Sequence, residues 1–304
     1  MKFKPVSRLQ ICFAVLFISL GFININAQKK HVELRKNIQN IISAKHATVG
    51  ISIKNIEDHD TLSINGNKLM PMMSVFKFHI ALTVLHQVDT GKLKLNQKFF
   101  IKKEDLLPNT WSPLRDEHPD GNMDFTLDQL LRYTVSHSDN NGCDILLKIL
   151  GGTETIQKFI NQQGIKDFTI KVNEAQMTQW DNLYINITTA NATTLLLEKF
   201  YKGKVLKKNT TQYLYQIMVE TSRGLTWMKA GLPENTELAH RTGMSDINEN
   251  NLRAAMNDIG IFKLPNGKHI ILSVYLKNIT EKREDTEKII ADIAKATYEY
   301  YNKK

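Results

Sequence analysis

Alternating apolar positions predict β-strands near both ends of the chain. In VGISIKNI, residues 49–56, apolar residues alternate with small or polar ones, as in a strand with one buried face. A short polar turn and the segment DTLSINGN, at 60–67, follow this strand, so a β-hairpin is predicted there. Three further strand patterns come late in the chain, at 238–244, 257–264 and 269–277. PNG at 265–267 predicts a hairpin turn between the last two.

The middle of the chain carries helical spacing instead. Apolar residues recur every three or four positions, and Gly, Pro and Asn interrupt the pattern. The segments with this spacing are 74–89, 126–133, 139–150, 153–163, 188–202 and 209–221. Residues 31–45 can also form a helix, and a last helix is predicted to have one apolar face. That face carries Ile289, Ile290, Ile293, Ala296 and Tyr300.

Strands at both ends, with helices inserted between them, predict a discontinuous architecture of the α/β (α+β) class. We expect an antiparallel sheet from residues near 48–68 and 236–278, packed against the terminal helices. A sheet lobe of about 28–68 and 236–304 would adjoin an inserted helical lobe of about 70–235. A cleft between two such lobes is the expected place for a functional site.

The N-terminus has the pattern of a secretory signal peptide. Three basic residues within the first eight precede the apolar run ICFAVLFISLGFI at 11–23, which is short for a bilayer span. Ala27 offers a small residue for cleavage. We therefore predict a signal peptide at 1–27, a single mature domain at 28–304 and a periplasmic location, with an uncleaved anchor as the alternative. After cleavage no membrane association is expected.

Composition narrows the classes of function. The 304 residues are 42% hydrophobic and 23% charged, as in ordinary globular proteins. The formal net charge is +9, but the basic residues are scattered, so no nucleic-acid partner is predicted. The nine histidines form no HxH or HExxH pattern, so a histidine-built zinc site is not expected. Cleavage would leave Cys143 as the sole cysteine, which excludes an intramolecular disulfide.

The stretch PMMSVFKFH, residues 71–79, places a lysine among apolar residues. Ser74 and Lys77 lie at i and i+3, so both side chains share one face of a helix. Helix-start amides near Ser74 could stabilise negative charge during acyl transfer, and a desolvated lysine exchanges protons readily. The alternative is an N-cap serine beside a lysine that extends toward solvent. This motif is weak on its own.

Two further motifs follow in order. SDN, at 138–140, contributes the hydroxyl of Ser138 and the amide of Asn140, although all three residues are also common helix caps. RTG, at 241–243, offers a cation and a hydroxyl, and then a glycine that permits close backbone approach. An edge strand with a solvated arginine is the alternative interpretation of this third motif.

Together the three motifs resemble those of the penicillin-recognising serine enzymes, SxxK, SDN and KTG. The similarity extends over nearly all of the predicted mature chain. TWSP, LLRYTVSHSDNNGCDILLK, NEAQM and NDIGIFKLPNG resemble the extended-spectrum branch of the class A β-lactamases that includes the PER, VEB and CfxA types. The resemblance implies a β-lactamase or transpeptidase-like fold and hydrolysis of penicillins or cephalosporins, with antibiotic resistance as its consequence. It implies no cofactor and no metal, a small-molecule β-lactam as partner, and a monomer.

The resemblance also implies roles for individual residues. Ser74 would be the nucleophile, Lys77 a proton acceptor or shuttle, Ser138 a proton donor to the leaving nitrogen, and Glu174 in NEAQM the activator of the hydrolytic water. Whether Lys77 or Glu174 is the base in acylation stays open. The residues expected to bind substrate are Asn140, Arg241, Thr242, Gly243, Met244 and, at the mouth of the cleft, Trp111. Trp111 could equally be a loop residue packed on the helical lobe.

Four positions depart from the family pattern. Arg241 stands where lysine is usual, and Met244 where a small or hydroxyl residue is common. Thr178 stands where many members have an asparagine that holds the water. Trp227 replaces an arginine expected to bind the substrate carboxylate, and Arg223, Lys229 or Arg253 could substitute for it.

Two residues that follow SDN also have more than one interpretation. Cys143 is most simply a small buried residue. Asp144 either contacts the loop that carries Glu174 or sits near a helix N-terminus, where an acid is favoured.

Two rival functions share part of the pattern. A penicillin-binding D,D-peptidase would share the first three motifs but lack the deacylating glutamate. A non-catalytic penicillin sensor would be joined to a transmembrane signalling part.

Overall fold

A five-stranded antiparallel sheet is the largest β-structure in the computed structural model, which describes residues 31–303. The predicted signal peptide and the first residues after it lie outside the described residues. The strand order is β2-β1-β10-β9-β8, so β8 is an edge strand. The strands are β1 (Thr48–Asn55), β2 (Asp60–Ile64), β8 (Leu238–Met244), β9 (Arg253–Lys263) and β10 (His269–Ile279).

Both hairpins predicted for this sheet are present. β1 pairs with β2, and β9 pairs with β10 across the turn that contains Gly267, whose φ of 83° suits a glycine. β9 begins at Arg253, four residues before the predicted start, because its pairing with β10 continues to Arg253↔Ile279. Thr242 on β8 lies opposite Asp258 on β9.

α-Helices are the main regular structure in the rest of the described chain. They are α1 (Val32–Ile42), α2 (Phe76–Asp89), α3 (Pro113–Glu117), α4 (Leu127–Ser136), α5 (Asn140–Leu150), α6 (Thr153–Gln162), α7 (Ala190–Tyr201), α8 (Lys208–Val219) and α9 (Arg283–Asn302). Local signals explain several boundaries. Thr126 and Gln129 form a capping box at the start of α4, and Gly151 ends α5 in the left-handed conformation. Two small sheets, which the apolar pattern did not predict, are β3 (Met70–Pro71) with β7 (Ile187–Thr188) and β6 (Phe168–Thr169), and β4 (Lys98–Ile101) with β5 (Met123–Thr126).

The terminal helices α1 and α9 pack on one face of the large sheet. Ile289, Ile290 and Ile293 are buried there, as the sequence predicts. Tyr300 is only partly buried, and Tyr301 takes the core position instead. The reason is the helical period: Tyr301 lies eight residues after Ile293 and continues its stripe, whereas Tyr300 falls beside it.

The helical part of the chain packs on the opposite face of the sheet. Its centre is α2, in which every residue from 76 to 85 is buried. Contacts on all sides therefore fix the position and orientation of α2. The predicted lobe boundaries near residues 70 and 235 stay a prediction. Within residues 31–303, no helix is both long enough and apolar enough to cross a bilayer.

Candidate active site

Ser74 lies in a 3₁₀ turn, Met73–Val75, that leads directly into α2. The preceding residue, Met73, has φ of 46°, an unusual value for a residue with a side chain, and one that costs on the order of 1–3 kcal/mol. Asn257, on strand β9 of the large sheet, fixes this turn in place. Its Nδ2 donates to the carbonyls of Pro71 at 2.8 Å and Met72 at 3.1 Å. The fold therefore maintains a strained turn that presents the serine.

Lys77 is completely buried one turn further along α2. Its Nζ donates to Ser74 Oγ at 2.7 Å and to Asn140 Oδ1 at 2.6 Å, and it forms an ion pair with the carboxylate of Glu174. An ammonium group has three hydrogens, and three acceptors surround this one. The cation is tolerated in an apolar helix because the site supplies its partners.

Glu174 approaches the serine from the loop between β6 and β7. Its Oε1 lies 3.3 Å from Ser74 Oγ. The two carboxylate oxygens of Asp144 on α5 accept hydrogen bonds from the backbone N–H groups of Glu174, at 2.8 Å, and Ala175, at 3.0 Å. Asp144 thus contacts the loop that carries Glu174, and burial raises the pKa of Asp144 to about 6.

Ser138 and Arg241 form a second polar contact at the back of the site. Arg241 Nη2 donates to Ser138 Oγ at 2.6 Å. Arg241 is fully buried, not solvated as the alternative interpretation of RTG would have it, and burial lowers the pKa of its guanidinium to about 10. The arginine therefore keeps its charge at neutral pH. Ser138 has φ of 62°, and Asp139 caps α5 by accepting the N–H of Gly142.

Gly243 brings the edge strand β8 against the nucleophile. A Cβ added there would lie 2.7 Å from the carbonyl oxygen of Met72 and 2.9 Å from the backbone nitrogen of Ser74. Any larger residue would push the strand away from the serine. The sequence-based expectation of a close backbone approach at RTG is confirmed.

A cavity of about 430 Å³ opens in front of these residues. Of the residues selected from the sequence, those that line it are Ser74, Trp111, Ser138, Asn140, Glu174, Thr242, Gly243 and Met244. Lys77 and Arg241 lie behind the wall and reach the cavity through the hydroxyls of Ser74 and Ser138. The structure therefore brings all ten selected residues to one site.

Trp111 is both a mouth residue and a packed loop residue. The residue is 46% exposed and lines the cavity, while its Nε1 donates to the carbonyl of His137 at 3.0 Å. Its own carbonyl accepts the N–H of Asn140 at 3.0 Å. The two interpretations of Trp111 therefore do not exclude each other.

The departures from the family pattern have distinct positions. Thr178 lines the cavity and donates its hydroxyl to the carbonyl of Ala175 at 2.8 Å. Trp227 is buried at the cavity wall. Of the three candidates to replace the missing arginine, only Arg223 lines the cavity. Lys229 donates to backbone carbonyls, as at Thr236, and Arg253 to the carbonyl of Ser245.

Arg283 is a lining cation that sequence reasoning missed. It lies at the first position of α9, far from every motif, and no sequence signal pointed to it. Cys143 is fully buried, and burial raises the pKa of its thiol, so it is an inert core residue as expected. Among residues 31–303, no group of three His, Cys, Asp or Glu side chains is placed to hold a metal ion.

A serine hydroxyl that contacts a buried lysine and a carboxylate, beside a second serine and a buried cation, defines a serine hydrolase of the acyl-transfer type. Comparison with known proteins agrees with this class. The model of the beta-lactamase enzyme family matches residues 33–301, and the chain belongs to that family.

Relatives and solved structures place it more closely. The chain is 45% identical to beta-lactamase VEB-1 of Pseudomonas aeruginosa, over 98% of this chain and 99% of that protein. It is 38% identical to extended-spectrum beta-lactamase PER-1 of the same organism, over 95% and 94%. The crystal structure of TLA-1 extended-spectrum beta-lactamase matches with a TM-score of 0.87 and 46% identity, covering 88% of this chain and 98% of that one. A class A beta-lactamase from Bacteroides cellulosilyticus matches with a TM-score of 0.86 and 33% identity, over 91% and 99%. The resemblance to class A β-lactamases, and with it the mixed helix and antiparallel-sheet fold, is confirmed.

Proposed function

We propose that this enzyme hydrolyses penicillins, cephalosporins or both through an acyl-enzyme on Ser74, and so confers β-lactam resistance. The observation that carries the proposal is the set of contacts at Ser74 Oγ, which donates to Glu174 Oε1 at 3.3 Å and accepts from Lys77 Nζ at 2.7 Å. A nucleophile with a proton acceptor in hydrogen-bond reach is the basic requirement of covalent acyl transfer.

In the acylation half, Ser74 Oγ bonds to the β-lactam carbonyl carbon and the ring C–N bond breaks. The serine proton passes directly to Glu174, or to Lys77 once its ammonium has given a proton to the paired Glu174 carboxylate; both routes use contacts present in the site. Ser138 delivers a proton to the departing nitrogen and is reprotonated with the proton that the base took from Ser74. The Arg241 guanidinium beside Ser138 orients its hydroxyl. The backbone N–H groups of Ser74 and Met244 stabilise the oxyanion, a contact that the close approach at Gly243 supports.

In the deacylation half, Glu174 takes a proton from water, whose oxygen bonds to the acyl carbon. The ester bond to Ser74 breaks, and Ser74 Oγ recovers the proton that Glu174 took from the water. Asp144 holds the backbone of Glu174, so the carboxylate is fixed relative to the ester. This half of the cycle separates a β-lactamase from a penicillin-binding protein.

Substrate binding is assigned to the remaining residues of the wall. Asn140 binds the amide of the acyl side chain, Arg241 and Thr242 attract the ring carboxylate, and Trp111 packs against the substrate at the mouth. We further propose that the protein acts as a periplasmic monomer after removal of residues 1–27.

One experiment tests the proposed function directly. Purified protein is mixed with an excess of a chromogenic cephalosporin, and the number of product molecules per enzyme is counted. Many turnovers support the proposal. A single stoichiometric burst with a long-lived adduct would favour the penicillin-binding or sensor alternative.

A further inference from the structure

Two arginines form an outer positive rim at the mouth of the active site. Arg223 and Arg283 both line the cavity, whereas Arg241 lies buried behind it. The site therefore carries positive charge in two layers, one inside beside Ser138 and one at the mouth. A β-lactam with a single ring carboxylate needs only one of them.

Arg223 carries a charge without a carboxylate partner among the described residues. Its guanidinium carbon lies 4.2 Å from the centre of the Trp111 ring, a cation–π contact across the cavity mouth. Burial and the charge of Arg283 both lower the pKa of Arg223. Both guanidinium groups line the same cavity, so their like charges repel each other, and an incoming anion would relieve that repulsion.

A carboxylate orients Arg283 but binds only one of its three guanidinium nitrogens. Its Nε donates to Glu287 Oε1 at 2.8 Å, and no hydrogen bond from its two terminal nitrogens is found in the described part of the chain. Glu287 also accepts the hydroxyl of Thr226 at 2.8 Å, which ties the loop after Arg223 to α9. Asp246 is the acidic side chain that lines the cavity mouth itself, and it limits the net positive charge there.

The position of the rim indicates which part of a substrate it meets. Gly224 packs against Thr242, since a Cβ there would lie 2.6 Å from Thr242 Cγ2. The backbone that carries Arg223 therefore adjoins the proposed carboxylate side of the site, and the side chain of Arg223 reaches from there to Trp111 across the mouth. In a cephalosporin, the substituent at ring position 3 is bonded next to the carbon that bears the carboxylate, and it would project toward this mouth.

We infer that Arg223 and Arg283 together are specificity-determining residues that favour cephalosporins with a negatively charged 3-substituent. This inference rests on the proposed function. Both side chains are partly exposed, so each contributes only a modest interaction energy with an anionic substituent, together with faster association of the substrate. Salt screens both of these effects.

The test uses three cephalosporins with the same acyl side chain and different charge at position 3. Ceftriaxone carries an acidic heterocycle there, cefotaxime a neutral acetoxymethyl group and cefepime a cationic ring. We expect kcat/KM to rise in the order cationic, neutral, anionic. Arg223→Gln and Arg283→Gln should each lower the ceftriaxone-to-cefotaxime ratio of kcat/KM by roughly two- to fivefold, the range of an exposed ion pair. The double variant should lower it further.

Lys282→Gln is the matched control, because it removes the same charge from the neighbouring exposed residue outside the cavity lining. Its ratio should stay at the wild-type value. High ionic strength should reduce the preference in the wild type more than in the double variant. An unchanged ratio in both arginine variants, with turnover intact, would overturn the inference. Absence of turnover in the wild-type protein would instead refute the proposed function.

Discussion

Replacing Asp144 with asparagine should loosen the loop that carries Glu174 without changing the size of the side chain. Each carboxylate oxygen of Asp144 now accepts one backbone N–H, from Glu174 at 2.8 Å and from Ala175 at 3.0 Å. An asparagine has one acceptor oxygen and places an NH₂ group against the other N–H. One partly buried donor would then face another donor.

The magnitude follows from that mismatch. A buried donor left without an acceptor costs about 1–3 kcal/mol. For a domain of this size, each kcal/mol lowers the melting temperature by about 2–4 °C, so we expect a fall of about 2–12 °C. Movement of Glu174 by a fraction of an ångström to 1 Å should slow deacylation by on the order of 10- to 100-fold, with acylation affected much less.

The assay is the time course of the acyl-enzyme by intact mass after mixing with benzylpenicillin, alongside thermal unfolding. Asp181→Asn is the control, because Asp181 is an exposed carboxylate on the same loop. We expect the adduct to persist longer in Asp144→Asn only. If both its melting temperature and its adduct lifetime match those of the wild type, Asp144 does not position Glu174.

The pH dependence adds a second arm. The folded-state pKa of Asp144, about 6, lies above the ordinary value for an aspartate because of burial. The folded state therefore binds this proton more tightly than the unfolded state, and protonation as the pH falls through 6 adds stability. Asparagine has no such proton, so the melting-temperature gap between wild type and Asp144→Asn should widen from pH 7 to pH 5. A constant gap would contradict the shifted pKa.

Four further predictions concern the proposed mechanism and export. Ser74→Ala should abolish covalent labelling by penicillin while keeping the thermal unfolding transition; an unchanged adduct mass would refute the nucleophile assignment. Glu174→Gln should acylate and then stall, with turnover reduced by orders of magnitude, while Thr178→Ala should slow deacylation less; rapid clearance of the Glu174→Gln adduct would exclude it as the deacylation base. Arg241→Ala should lower kcat/KM for benzylpenicillin roughly ten- to a hundredfold, as expected for a lost charge-assisted interaction. KM should rise because the carboxylate is attracted less, and kcat should fall because Ser138 loses the group that orients its hydroxyl; an unchanged KM would remove Arg241 from carboxylate binding. The exported protein should have the intact mass of a chain that begins near Gln28, and a mass that includes Met1 would contradict cleavage.

The elements that sequence could predict are those with strong periodicity or motif. Alternating apolar residues identified β1, a mostly apolar run identified β10, and helical spacing identified α2, although both faces of the two strands are buried in the folded protein. The convergence of Ser74 with Glu174, one hundred residues later, could be expected only from the resemblance, because no local pattern links two loops that distant.

The remaining features depend on tertiary packing. β3 and β7 are two residues long, too short for any periodicity to show. Arg241 reads as an exposed edge-strand residue until the helical part of the chain covers it. Arg283 reaches the cavity only because α9 packs beside the loop that carries Thr226, a contact between segments with no shared motif.

The three acceptors around Lys77 have a consequence for how the enzyme can adapt. The acceptors come from three separate segments: Ser74 from the turn before α2, Asn140 from α5 and Glu174 from the loop between β6 and β7. The buried ammonium has all its partners only when these segments are assembled. Opening the Glu174 loop to admit a bulkier substrate would remove the carboxylate partner of the Lys77 ammonium, which is buried in an apolar helix. A variant that widens the cleft on the Glu174 side is therefore expected to lose stability unless it supplies a new partner for Lys77. We expect adaptation to larger antibiotics to occur instead at the mouth of the cavity, where Trp111 and Arg223 contact each other only through their side chains.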